Sequence, residues 1–148
     1  MKNMYKVLVL CIITMSIYTA KAQNSTPVRR NQFSKFSEKL PTALSELDKA
    51  FLAPEGSKIQ LNFSNFSFSG IITSSVKRYD NLYSVVVKSS SLDNTLFSIS
   101  KRINEDQSIS YVGRVINEKY ADGYELRKES NGTYSLNKVE TQELIQDY

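Results

Sequence analysis

A strand pattern begins at Lys58-Ile-Gln-Leu-Asn-Phe-Ser-Asn-Phe-Ser-Phe68, where apolar residues occupy nearly every second position. Such alternation is typical of a β-strand with one face in the core and the other in water. The apolar spacing widens to three residues between Phe63 and Phe66, which predicts a bulge or a short turn at Ser64-Asn65. The β pattern therefore starts after Gly56, and it continues along the rest of the chain.

The following segments are rich in β-branched and aromatic residues, which favour strands. They predict strands at Ile71–Arg78, Leu82–Lys88, Leu96–Arg102, Ile109–Ile116, Tyr124–Arg127 and Thr133–Leu136. The polar connections are too short for the crossovers that parallel strands need, and Asn131-Gly132 is a strong hairpin signal. We therefore expect a curled antiparallel β-meander of about six or seven strands. Glu140–Tyr148 is expected to form a short terminal helix or to fray.

One helix is predicted upstream of the strands. Its apolar residues recur at spacings of three or four, at Phe33, Phe36, Leu40, Leu44, Leu47 and Phe51. Pro41 interrupts this stripe because it has no amide hydrogen and disfavours helical geometry at Leu40. The helix is therefore kinked or split, with the stronger half from Thr42 to about Leu52. Residues 31–148 are predicted to form one α+β domain in which this N-terminal amphipathic helix packs on the sheet, or alternatively a sandwich with a helical appendage.

The N-terminus predicts export. Lys2 and Lys6 precede an apolar run that ends in Ala20-Lys21-Ala22, the pattern of a signal peptide over residues 1–22 with cleavage before Gln23. The run is too short for a membrane-spanning helix, so no transmembrane segment is expected after its removal. Residues 23–30 are polar and read as a flexible leader. We predict a periplasmic or secreted protein, and the lack of cysteine after Cys11 makes it disulfide-free and favours a bacterial origin.

The composition excludes several kinds of chemistry. The chain has no His, and its one Cys lies in the signal segment, so no imidazole base, thiolate nucleophile or Cys/His metal site is expected, and no cofactor. Residues 1–22 hold three of the 19 Lys and Arg and none of the 15 Asp and Glu, which leaves the exported part with a formal charge of +1. Nucleic acid is therefore not an expected partner. Carboxylate pairs, at Glu105-Asp106 and Glu118 to Asp122, are the remaining catalytic class.

The candidate binding residues lie in the stretch from Tyr111 to Leu126. They are Tyr111, Arg114, Tyr120, Asp122 and Tyr124. Tyrosine and arginine are enriched at the energetic centres of protein interfaces, which favours a binding site here. The ordinary alternative is an Asp-Gly turn with tyrosines in cross-strand pairs and the arginine in a surface ion pair.

A second candidate is cationic. Three cations lie on the same face of their predicted strands as the serines, namely Lys88, Arg102 and Arg114. They would form a basic row if the three strands were neighbours. The near-neutral net charge favours the alternative that they are solvated residues protecting sheet edges.

Three functions follow from these observations. The first is an exported, non-enzymatic binding or interaction module that engages a protein or surface ligand. The second is a carrier of a small hydrophobic ligand in a cavity between helix and sheet, lined by Phe63, Phe66, Phe68, Phe97 and Ile99. The third is a carboxylate-based hydrolase. The carrier requires an enclosed apolar cavity, whereas the module requires a filled core and an exposed patch.

Overall fold

A computed structural model describes residues 29–146. In chain order the elements are β1 Lys39–Thr42, α1 Leu44–Leu52, β2 Lys58–Phe63, β3 Phe66–Tyr79, β4 Leu82–Ser89, β5 Leu96–Ile103, β6 Ile109–Ile116, β7 Asp122–Lys128, β8 Tyr134–Glu140 and α2 Thr141–Gln146. The predicted signal peptide, most of the predicted leader and the last two residues lie outside the described residues. Across residues 29–146 no helix has the length and apolar character needed to span a membrane.

The strands form one antiparallel sheet in the order β1-β8-β7-β6-β5-β4-β3-β2. Strands β2 to β8 are a simple meander, as the short connections predict, and β1 pairs with β8, as in Leu40 opposite Leu136. The sheet curls into a half-barrel, with concave and convex faces. The alternation predicted for the strands is confirmed on the concave face, where Phe63, Phe97 and Val115 are fully buried.

The strand count and the helix differ from the prediction. The sheet has eight strands rather than six or seven, because Lys39–Thr42 is a strand and not the first half of the helix. Pro41 explains the difference, since an edge strand accepts a residue that cannot donate a backbone hydrogen bond and a helix interior does not. Phe33 and Leu40 still reach the core, from an irregular segment and from β1. The helical spacing of the stripe is therefore a coincidence before residue 44.

Two segments close the concave side. At one end α1 packs over the sheet, where the ring of its Phe51 lies 6.2 Å from that of Tyr111. At the other end Phe33 and Phe36, which precede β1, contact the ring of Phe66. The helix therefore covers only part of one face, and the irregular segment before β1 completes the core.

The convex face is only partly covered. Helix α2 lies against it near β6 and β7, and the side chain of Leu144 is buried there. The Arg114 guanidinium donates from Nη1 to the Leu144 carbonyl at 2.9 Å. Between α2 and the β2 edge, Val112 in β6 is 64% exposed and Ile71 in β3 is 40% exposed. This face is the larger uncovered surface of the sheet.

Candidate functional site

Tyr111 and Tyr124 lie on the concave side. The Tyr111 hydroxyl donates to Asp48 Oδ1 at 2.6 Å, and burial together with this bond raises the pKa of Tyr111 above its ordinary value. The Tyr124 hydroxyl donates to the Ser37 carbonyl at 2.8 Å. Burial raises the pKa of Tyr124 to about 12. Both tyrosines are therefore neutral, and both are engaged with the chain's own residues.

Asp122 is also internal. Its carboxylate accepts the backbone N–H of Gln32 at 2.5 Å and that of Phe33 at 2.9 Å, and the residue is 2% exposed. A carboxylate holding two backbone donors fixes the segment before β1 against the start of β7. Its role in this structure is to hold the Phe33 segment over the core.

Arg114 and Tyr120 occupy two other places. Arg114 lies on the convex face, opposite Ser98 of β5 and Glu125 of β7, and it is half-buried beside α2. Tyr120 is half-buried in the connection between β6 and β7. The five predicted site residues are thus divided among the concave side, the convex face and a loop. A role in partner binding stays a prediction, and Arg114 and Tyr120 are the members that reach the surface.

The side chains assigned to a carrier cavity pack against one another. The centroid of the Phe97 ring lies 5.6 Å from that of Phe63 and 5.9 Å from that of Phe68, both in edge-on geometry. The Phe66 ring stacks on that of Phe63 and meets that of Phe68 edge-on, with both centroid distances at 6.3 Å. Phe97 and Phe63 are fully buried. A ligand in this space would have to displace the rings.

The carboxylates considered for hydrolysis have other partners or face water. Asp106 accepts hydrogen bonds from the hydroxyl and the backbone N–H of Ser108, at 2.6 and 2.9 Å, which hold the pKa of Asp106 below its ordinary value. Glu105 and Glu118 are exposed. A general acid needs a raised pKa, the opposite of what these bonds produce. Within the described residues no cluster of three or more acids could hold a metal ion.

The convex face contains a groove beside α2. The groove has a volume of about 350 Å³ and is lined by Ser98, Ser100, Val112, Gly113, Arg114, Glu125, Leu126 and Leu144. Gly113 brings β5 and β6 close together, because an added Cβ would lie 2.8 Å from the Ser98 carbonyl oxygen. The groove therefore combines hydroxyls, one cation, one anion and exposed apolar carbon.

A tyrosine and an arginine that the sequence analysis did not pair line the same cavity at one end of this face. Tyr79 at the end of β3 is 71% exposed, and it lines a cavity of about 550 Å³ together with Arg102 and the acids Glu105 and Asp106. The register places Tyr79 opposite Leu82, and Leu82 opposite Arg102. The tight turn at Asp80-Asn81 pairs β3 with β4, and the pairing of β4 with β5 then places Arg102 at the same end of the sheet.

The three cations Lys88, Arg102 and Arg114 belong to adjacent strands, β4, β5 and β6, and lie on the same convex face. They do not form a straight row. Lys88 is opposite Leu96, Arg114 is opposite Ser98 and Arg102 is opposite Ser110. These strands are interior to the sheet, so protection of a sheet edge does not account for them.

Comparison with protein-family models, with curated proteins and with solved structures finds no match to this chain.

Proposed function

We propose that this protein is an exported, non-enzymatic binding module that engages a protein partner through the convex face of β2 to β6. The observation that carries the proposal is the exposure of Val112, which is 64% exposed although it lies in an interior strand. A β-branched residue at the middle of a sheet usually packs against a second layer. A partner can supply the layer that this chain leaves out.

The concave side supports the same choice. The aromatic rings fill it. Its polar groups already hydrogen-bond to the chain's own residues, as at Tyr111, Tyr124 and Asp122. The carrier needs space that these rings occupy. The hydrolase needs a convergent pair of acids. Of the acids considered above, Asp106 and Asp122 accept hydrogen bonds from the chain's own donors, and Glu105 and Glu118 are exposed to solvent. Export enters the proposal from the sequence pattern of residues 1–22.

Photo-crosslinking tests the proposed face. The variant Val112→p-benzoylphenylalanine, expressed in the cells that make the protein, is expected to yield one predominant crosslinked protein after irradiation. The matched control places the same group at Leu52 on α1, which is 83% exposed and lies off the convex face. We expect no comparable product from position 52, because exposure alone does not create a stable contact.

Two results would refute the proposal. One is the absence of a crosslink from position 112. The other is the same set of crosslinked proteins from positions 112 and 52, which would indicate random collision. Crosslinking of a small apolar molecule from position 97 in the interior, rather than a protein from position 112, would favour the carrier.

A further inference from the structure

Charge is segregated along this chain. The five strands from β2 to β6 contain seven Lys and Arg residues and no Asp or Glu. The full chain has 19 basic and 15 acidic residues, so the acids are concentrated in the turns, the helices and β7 and β8. The small net charge therefore conceals five strands that carry only basic charges. Acids lie at their margins, because Glu125 of β7 is opposite Arg114, and Glu105 and Asp106 line one cavity with Arg102.

Four of the seven cations lie on the convex face. They are Lys58, Lys88, Arg102 and Arg114, which together define the basic convex face. The register places Ile71 between Lys58 and Lys88, so these two Cα atoms are roughly 10 Å apart, two strand spacings. Within residues 29–146 no ion pair involves Lys58, Lys88 or Arg102, whereas Lys77 and Lys101, off this face, pair with Asp80 and Asp48.

The cations alternate with exposed apolar carbon. Ile71 is 40% exposed between two lysines, and Val76 and Val112 are 38% and 64% exposed in the same face. Serine hydroxyls fill most of the remaining convex positions, such as Ser84 and Ser100, which hydrogen-bond each other at 2.8 Å. A binder of this face needs negative charges spaced between small apolar groups.

We propose that the basic convex face binds an acidic segment of the partner protein, one in which Asp or Glu residues alternate with apolar residues. This inference rests on the proposed function, because it names the chemistry of the partner at the same face. Charge complementarity supports it, since Lys58, Lys88 and Arg102, which make no ion pair within residues 29–146, attract an approaching acidic segment. The apolar residues between the cations supply contact area that a purely ionic surface would lack.

Two other occupants fit this face less well. A lipid bilayer is bound by aromatic or leucine side chains that enter the interface, and the exposed apolar residues between the cations here are short and β-branched. The sheet also curves away from a flat surface. A second copy packed face to face would bring two faces of the same basic charge together. An acidic polypeptide avoids both difficulties because it can follow the curvature.

Titration with a defined probe tests the inference. We would measure fluorescence anisotropy of a labelled poly-L-glutamate peptide with the purified protein at low and high salt. The variant Lys88→Glu with Arg102→Glu is expected to bind roughly tenfold more weakly, since two exposed attractions become repulsions. The control variant Lys35→Glu with Lys119→Glu makes the same change in net charge at exposed positions off this face, and we expect less than about a twofold loss there.

Each outcome decides the question. Loss of binding in the face variant and not in the control supports an acidic partner. No binding by the unaltered protein, or equal loss in both variants, overturns the inference and leaves the photo-crosslinking result at Val112 to judge the proposed function separately. Tighter binding to vesicles of phosphatidylglycerol and phosphatidylcholine than to the peptide would assign the face to a membrane and overturn it. Self-association lost in the face variant would assign it to a second copy and also overturn it.

Discussion

Replacing Phe97 by Ala tests whether the concave side is a packed core. The Phe97 side chain is fully buried, and edge-on contacts to Phe63 and Phe68 surround it. Truncation removes these contacts and leaves a cavity between strands that cannot collapse far, because the backbone ladders on both sides of β5 hold them in register. We expect the free energy of unfolding to fall by about 4 kcal/mol, within the range for Phe to Ala changes in well-packed cores.

Urea denaturation followed by circular dichroism measures this loss. With a dependence of about 2 kcal/mol per molar urea, the midpoint is expected to fall by roughly 2 M. The control is Leu52→Ala, an exposed site at the end of α1, where we expect a change within about 0.5 kcal/mol. A loss below about 1 kcal/mol for Phe97→Ala would refute the packed interior. Saturable binding of a fluorescent fatty acid to the unaltered protein would refute it as well and favour the carrier.

Two further predictions concern carboxylates that accept hydrogen bonds from other segments, the half-buried Asp48 and the buried Asp122. Asp48→Ala is expected to cost about 2 to 3 kcal/mol in thermal or chemical unfolding, because the buried hydroxyl of Tyr111 and the ammonium of Lys101, each bonded to Asp48 Oδ1, lose their acceptor. Burial alone would raise the pKa of Asp48, but these bonds hold that pKa below its ordinary value of 3.8. The contribution of Asp48 to the free energy of unfolding is therefore complete above pH 3.8 and is lost as the pH falls through the lowered pKa. The acid limb of the stability curve should therefore flatten in the variant, and an unchanged limb would contradict the assignment. Asp122→Ala should cost about 3 kcal/mol and speed hydrogen exchange at the Phe33 amide, with Asp122→Asn milder because one acceptor remains; equal exchange in the unaltered protein and the Ala variant would show that the segment before β1 is held by other contacts.

The strands were predictable because a curled sheet with one buried face imposes period two on its residues. Phe63, Phe97 and Ile99 follow that rule, and each is buried on the concave side. The helix was harder to predict. Phe33 and Leu40 are spaced as in a helix, but they reach the core from a turn and from a strand. A side chain can occupy the same place in the core from either kind of backbone, so apolar spacing alone does not identify the secondary structure. Pro41 was the observation that argued against a helix there.

The period of two along a strand also explains why the candidate site residues do not come together. Tyr111 and Arg114 belong to one strand and differ by three positions, so they face opposite sides of the sheet. Grouping them by closeness in sequence therefore joined a core residue to a surface residue. The exposed Tyr79 and Arg102 belong to different strands, and only the strand register shows that they lie at the same end of the sheet. The absence of acids from β2 to β6 is visible in the sequence once the strands are assigned. The net charge does not show it, because acids elsewhere in the chain offset the basic residues of these strands.

The pairing of β1 with β8 constrains the order of folding. The backbone N–H of Lys138 donates to the Glu38 carbonyl at 2.7 Å, although the two residues are 100 positions apart. During synthesis β1 emerges first and has no partner until β8, the last strand, is made. Closing so long a loop is slow relative to forming the hairpins of the meander. The meander is therefore expected to form early. The pairing of β1 with β8 and the packing of Phe33 against the core are expected to form last.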